Sequence, residues 1–231
     1  MQFLSVPEAA RELQVNPSRV RALVASGELS GRKLGGRWIV ESVDVSRRKQ
    51  SPRPAGRPLE PQNAWGALFL ASGLAAPWLE PVARWRLRQS LAASGLKGLM
   101  PRLIRRSELH RFFVHPGELR YLGERPDLVR AGVSAATAHE LDLVPGHELD
   151  AYVRDKALER LRSDHALSPA SAGQGNVVLR AIPDFAWHFQ KGSVAPLAAV
   201  AIDLAEEPDS RSARIGAEAI KRLDRKLRRS Q

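Results

Sequence analysis

The chain has 231 residues, a formal charge of +11 and no cysteine. That length allows one or two domains with an ample core, and the lack of cysteine excludes disulfides, thiol catalysis and thiolate zinc sites, in keeping with the cytoplasmic location expected for the protein. The charge is uneven: residues 1–58 hold eleven Lys/Arg against five Asp/Glu, 84–111 eight against one, 112–220 eleven against sixteen, and 221–231 six against one. A basic front with a weakly acidic back predicts a DNA-binding module joined to something else, rather than a uniform nucleic-acid coat.

In chain order, Ser5-Val6-Pro7-Glu8 is an S-x-x-E capping box, which predicts mutual bonding of the Ser5 and Glu8 side chains and backbones at a helix start. Val6, Ala9, Ala10 and Leu13 then recur at helical spacing. Gln14-Val15 makes the turn, with Val15 as a buried plug. Asn16 is a good N-cap and Pro17 suits the first position of a second helix. Its inward stripe is Val20, Leu23 and Val24, which leaves Pro17, Ser18, Arg19, Arg21 and Ala22 facing out, and Ser26-Gly27 ends it. Two short helices joined by a tight turn, the second with Ser and Arg near its start, are what major-groove reading requires.

Gly35-Gly36 between β-formers predicts a two-residue hairpin. Arg32, Lys33 and Arg37 flank that turn and are expected against phosphates, with Trp38, Ile39 and Val40 pinning the hairpin to the core. A third helix is expected to start at Ser42-Val43-Asp44-Val45.

The run Leu4 to Ala10, then Val15 to Val20, Ser26-Gly27-Glu28-Leu29 and Gly35-Gly36-Arg37-Trp38 resembles the winged helix-turn-helix of the excisionase and MerR-like families, over about the first fifth of the chain. The resemblance implies binding to double-stranded DNA through Pro17, Ser18, Arg19 and Arg21, with Arg32, Lys33 and Arg37 on the wing.

Residues 47–61 are rich in Pro and cations and are expected as an extended linker between a DNA-binding domain at 1–46 and an effector domain at 62–231. Within the linker, Arg53 to Pro58 faintly resembles the core that AT-hooks lay in a minor groove, which makes Arg53 and Arg57 possible second DNA contacts. A helix capped by Asn63 carries Trp65, Leu68, Phe69 and Leu70 to a stop at Ser72-Gly73. The next, from Pro77 or Pro81 to Ser94-Gly95, carries Trp85, Leu87 and Leu91 inward, with Arg84, Arg86 and Arg88 outside. Arg84 and Arg88 join the possible DNA contacts. A third helix is expected near Lys97 to Arg106.

Further on, a helical or irregular stretch at Leu119 to Leu128 leads to a strand at Leu128 to Gly132. A short helix at Ser134 to Leu141, a strand at Glu148 to Val153, a helix at Asp155 to His165 and a loop at Ser168 to Asn176 follow. Val177 to Ile182 is a strand, Ala195 to Leu204 a buried helix and Ser210 to Leu227 a basic-ended helix. Helix, loop and strand permit a second winged-helix-like module. The fold class predicted is therefore mainly α with small β-wings, an α+β chain with a mostly helical effector domain.

Leu128 to Ala136, Asn176 to Arg180, and Ala198 to Leu204 with Asp209-Ser210-Arg211 resemble the antitoxin regulators of bacterial AbiE-type toxin–antitoxin pairs. That resemblance implies a promoter-binding protein whose partner is a nucleotidyltransferase-like toxin, with Arg180, Asp203, Asp209 and Arg211 as candidate partner contacts. The alternative reading is an excisionase-like DNA-bending or nucleoid accessory factor.

Six histidines are present, none at metal-ligand spacing, and no Walker, G-x-S-x-G or Ser-x-x-Lys pattern occurs. No catalytic residue, metal or cofactor is expected. Asp203 with Asp209 and Arg211 reads as a structural ion pair rather than a catalytic site. The apolar run Ala64 to Leu79 is broken by Ser72, two glycines and Pro77, too short to span a bilayer.

Overall fold

A computed structural model describes residues 3–13, 15–25, 29–42, 44–46, 57–144, 146–170 and 175–229. The chain divides into two units, residues 1–54 and 55–231.

In the first unit, β1 (Phe3–Ser5) leads into α1 (Val6–Leu13), α2 (Pro17–Ala25) and a hairpin of β2 (Gly31–Leu34) and β3 (Arg37–Glu41). β3 lies between β1 and β2, antiparallel to both. The capping box forms as its spacing predicts: the Ser5 amide and hydroxyl each donate to Glu8 Oε2 at 2.7 Å. The inward stripes of the two helices, with Leu29, Val40 and Val45, make one small core against which Val15 and Trp38 pack. Ile39 is half-buried and, by strand alternation, belongs to the other face of the sheet. Residues 44–46 are helical, as expected after the wing. Gln14, Ser26, Gly27, Glu28 and Val43 lie outside the described residues.

The second unit holds a five-stranded sheet between two layers of helices. In chain order it comprises α3 (Pro61–Ala71), α4 (Pro81–Leu99), β4 (Glu108–Phe113), α5 (Pro116–Gly123), β5 (Val129–Arg130), α6 (Gly132–Ala135), β6 (Leu149–Arg154), α7 (Asp155–Asp164), β7 (Ser168–Pro169), β8 (Val177–Ile182), α8 (Leu197–Ala205) and α9 (Ser210–Arg229). The strand order is β5-β6-β8-β4-β7; β6 and β8 are parallel and the other neighbouring strands antiparallel. Leu149, Ala151, Val153, Val177, Leu179 and Ala181 pack under α5 and α7. Tyr152 and Ile182 face the opposite layer, with α3, α4, α8 and α9. With both faces covered, β6 and β8 need near-continuous burial, which is what their sequences supply.

The mainly helical α+β class stands, and in the larger unit the helices lie on the two faces of a five-stranded sheet. The segment expected to form a second winged helix is instead β6-α7-β8, a crossover between parallel neighbours. β4 was not expected. α3 starts at Pro61, with Glu60 as the residue before it, so Asn63 is inside the helix. Leu59 packs against the core and its amide donates to Arg102 O at 2.8 Å, so the final residues of the expected linker belong to the fold.

The expected third helix is the tail of α4 beyond a break at Gly95, where φ is 66°, and helix ends by Arg102. Asp224 of α9 holds that break, accepting from the Leu96 amide at 2.6 Å. The stripe Leu87–Leu91 sets the phase of α4 and brings Arg84 inward and Trp85 outward, the reverse of the expectation for both. Arg84 donates to Leu79 O at 2.8 Å.

A layer of charge lies between the sheet and α8. Asp203 is sealed from solvent and accepts from Tyr152 Oη at 2.8 Å and from Arg106 Nη2 at 3.1 Å. Arg180 grips Asp150 with two bonds, at 3.1 and 3.0 Å, and its Nε stands 3.6 Å from Asp203. Glu206 and Glu207 close the layer from the solvent side, against Arg106 at 2.5 Å and Arg180 at 3.2 Å. Burial pushes the Asp150 carboxyl up, to about 6, against the downward pull of Arg180, and the nearby Asp203 charge adds to the rise. Burial also pushes the Tyr152 phenol up, reinforced by Asp203, so it stays a neutral donor.

Asp203→Ala leaves Arg106 and Arg180 short of a buried counter-charge. The expected loss is about 3–5 kcal/mol of the second unit's stability, read by denaturant unfolding. A loss below about 1 kcal/mol would show that the layer contributes little to stability.

Candidate nucleic-acid interface

The site is built on α2. Asn16 caps it, its Oδ1 accepting from the Arg19 amide at 2.7 Å. Val20 and Leu23 are buried, which rotates Pro17, Ser18, Arg19, Arg21 and Ala22 to solvent as their spacing predicts. α1 carries Glu8 in its first turn, whereas the first turn of α2 has no acidic residue. The α2 N-terminus thus has no acid of its own first turn against its partial positive charge and stands beside two exposed arginines, an arrangement suited to an anion.

The hairpin presents the second part of the site. Gly35 and Gly36 have φ of 56° and 77°, the two positive values of a type I′ turn, and open space surrounds both. The register pairs Lys33 with Trp38 and Leu34 with Arg37. By alternation Leu34 belongs to the face opposite Trp38 and Val40. The side chains of Arg32 and Arg37 lie outside the described set. Lys33 belongs to the other face, where its ammonium stands 5.5 Å from the centre of the Trp38 ring. The expectation of Lys33 against phosphates beside Arg32 and Arg37 thus meets a register that puts Lys33 on the Trp38 face.

Of the possible second DNA contacts, Arg53 lies outside the described residues. Arg57 is exposed, with its guanidinium 4.0 Å from Glu60. Arg88 is exposed, and Arg84 is committed to loop carbonyls. The candidate partner contacts divide as well. Arg180 and Asp203 are buried in the charge layer and cannot touch a partner. Asp209 caps α9 by accepting from the Ser212 amide at 2.7 Å, and Arg211 donates to Asp142 O at 3.3 Å. Asp203 therefore pairs with Arg106, Arg180 and Tyr152, not with Asp209 or Arg211. Among the described residues, no cluster of three His, Asp or Glu side chains could hold a metal ion, and no helix is long and apolar enough to cross a membrane.

A family model described as a helix-turn-helix domain matches residues 3–52. Residues 3–52 are therefore a helix-turn-helix domain by sequence, and the described geometry of α1, turn and α2 agrees. The match stops short of the second unit and lends no support to its AbiE-like resemblance. A search of curated proteins and a search of solved structures returned no match.

Gly36→Val puts a β-branched residue where φ is 77° and should cost about 1–2 kcal/mol in the first unit. Amide exchange across β2 and β3 should speed up; unchanged exchange would mean the turn tolerates the side chain. The cap is testable through pH. Hydrogen bonds from the Ser5 side chain and backbone hold the Glu8 carboxyl below its usual range. A depressed carboxylate stabilises above its unfolded pKa, near 4.5, and that contribution fades as pH falls through the lower folded value. The Ser5 amide resonance should shift in that acid window in the wild type and stay level in Glu8→Gln.

Proposed function

We propose that the protein is a sequence-specific DNA-binding transcription regulator that reads the major groove with α2 and lays its hairpin on the phosphate backbone. The observation that carries this reading is the exposure of Pro17, Ser18, Arg19 and Arg21 on one Asn16-capped helix, within a segment matching a helix-turn-helix family model. Arg19 and Arg21 have the length and donor geometry for guanine edges or phosphates. The wing arginines flank a turn that projects into open space. No catalytic step is assigned: in the layer around Asp203, the most polar cluster of the second unit, Asp203 and Asp150 are buried and bonded to Arg106, Tyr152 and Arg180.

The test is selection of duplexes from a randomised pool by the full chain. A consensus should emerge, and Arg21→Ala should weaken binding to it by about 1–3 kcal/mol, more than it weakens random DNA. Failure of any consensus to emerge would remove the sequence-specific reading. Equal loss on both DNAs would assign Arg21 to phosphate contact.

For the second unit, the likeness to AbiE-type antitoxins supports a protein-binding role, with neutralisation of a nucleotidyltransferase-like toxin as its specific form. It rests on sequence likeness alone. Co-expression with the neighbouring gene tests it: rescue from a toxic neighbour supports the role, and a harmless or unaffected neighbour ends it.

A further inference from the structure

The C-terminal helix α9 carries a charged surface that the helix-turn-helix domain does not explain. Its inner face, through Ile215, Gly216, Ala219, Ile220 and Leu223, is buried. Asp224, the acid nearest its end, is turned into the break of α4. On the outside, Arg222, Arg225, Lys226 and Arg229 line a depression of about 250 Å³ with no carboxylate among the lining residues. Their spacing, i, i+3, i+4 and i+7, puts all four on one face.

The surface changes character along the helix. A neighbouring depression nearer the start of α9 is lined by Glu140, Asp142 and Glu218 together with Lys221, Arg222 and Arg225, so acids oppose bases there. Among the described residues, the depression farther along is lined by cations alone, two of which, Arg222 and Arg225, it shares with its neighbour. Among the described residues no ion pair involves Arg222, Arg225 or Arg229, whereas Arg214, earlier on the same helix, pairs with Glu218 at 3.1 Å. Like charges at these spacings repel by a few tenths of a kcal/mol per pair, and cations in the last turn gain from the helix dipole only locally. A polyanion offsets that repulsion along the whole face.

We infer that the outer face of the α9 C-terminus is a second, sequence-independent contact with double-stranded DNA. The inference rests on the DNA-binding reading for its choice of polyanion. Residues 222–229 extend over about 10 Å, which spans about three phosphates of one strand. A membrane surface is the weaker occupant, because the apolar side of α9 is consumed by packing and nothing remains to enter the acyl region.

The experiment measures affinity of the full chain for a random-sequence duplex between about 50 and 200 mM salt. Arg222→Gln/Arg225→Gln/Lys226→Gln/Arg229→Gln should reduce the slope of log K against log salt by about two to three units, at about 0.9 per phosphate. Replacing Arg222, Arg225 and Arg229 by Lys should leave the slope in place. Arg120→Gln/Arg160→Gln/Arg214→Gln, at positions already paired with Glu124, Asp164 and Glu218, should leave it nearly unchanged. An unchanged slope in the quadruple variant overturns the inference, as does an equal fall per charge in the control, which would mark an effect of net charge.

Vesicles containing phosphatidylserine form a separate arm. Loss of vesicle binding with an unaltered DNA slope assigns the face to lipid and overturns the inference. The two DNA readings fail separately. A chain that selects no consensus but loses slope in the quadruple variant keeps this contact and loses sequence reading; one that selects a consensus with its slope intact does the reverse.

Discussion

The second unit depends on the burial of opposite charges in one layer. Asp203 stands in the middle of a helix end otherwise made of Ala, Val, Ile and Leu, and it can be there only because Arg106, Arg180 and Tyr152 converge on it. These three come from a loop, β8 and β6, so satisfying one carboxylate fixes where sheet, loop and helix meet. An apolar layer of equal volume would tolerate α8 sliding along the sheet; a charge layer does not, since a displaced helix strands buried ions. The packing around it is correspondingly close. A Cβ on Gly132, which has φ of 38°, would stand 1.9 Å from Asp150 Oδ2, and one on Gly216 would stand 2.4 Å from Ala205 N, where α9 crosses α8. Backbone approach at both points holds Asp150 and the α8–α9 pair in place.

The first unit is organised by short-range devices instead. Its helix starts are fixed by Ser5 and Glu8, three residues apart, and by Asn16 and Arg19, also three apart. Its hairpin is fixed by two adjacent glycines. The core is small, and rotation of α2 is set by two buried residues, Val20 and Leu23. Every exposed position offered to a duplex follows from that rotation, so the surface is a by-product of the packing. A helix-turn-helix domain needs little else: α2 must be presented stiffly at one angle, and its polar face is then free for chemistry.

This contrast explains what could be read in the sequence. Caps, turn glycines and helical stripes are statements about residues a few positions apart, and in the first unit they fix the core, the outward face of α2 and the hairpin. In the second unit the helices α3, α4, α7, α8 and α9 were legible from the same kind of signal, with ends displaced where Pro61 rather than Asn63 begins a helix. β4 was not legible, because Glu108-Leu109-His110-Arg111 mixes charge with apolar residues and becomes a strand by pairing with β8, some seventy positions later. The partners of Asp203 were hidden for the same reason: Arg106 is 97 residues away in the chain. Local arithmetic would have placed Arg84 and Trp85 correctly, since the stripe through Leu87 and Leu91 already fixes which side of α4 is buried.

The separation between Arg106 and Asp203 also bears on how the chain comes into being. Contacts between distant residues form slowly because the intervening chain must be gathered first, and domains fold as units as they leave the ribosome. The described core, caps and hairpin pairings of the helix-turn-helix domain join residues of its own stretch, so they can form while the remainder is still being made. The larger unit cannot complete its charge layer until α8 emerges. During synthesis there is thus an interval in which a helix-turn-helix head is joined to a body whose Arg106 still lacks its buried counter-charge, Asp203, and translation pauses late in the chain prolong it.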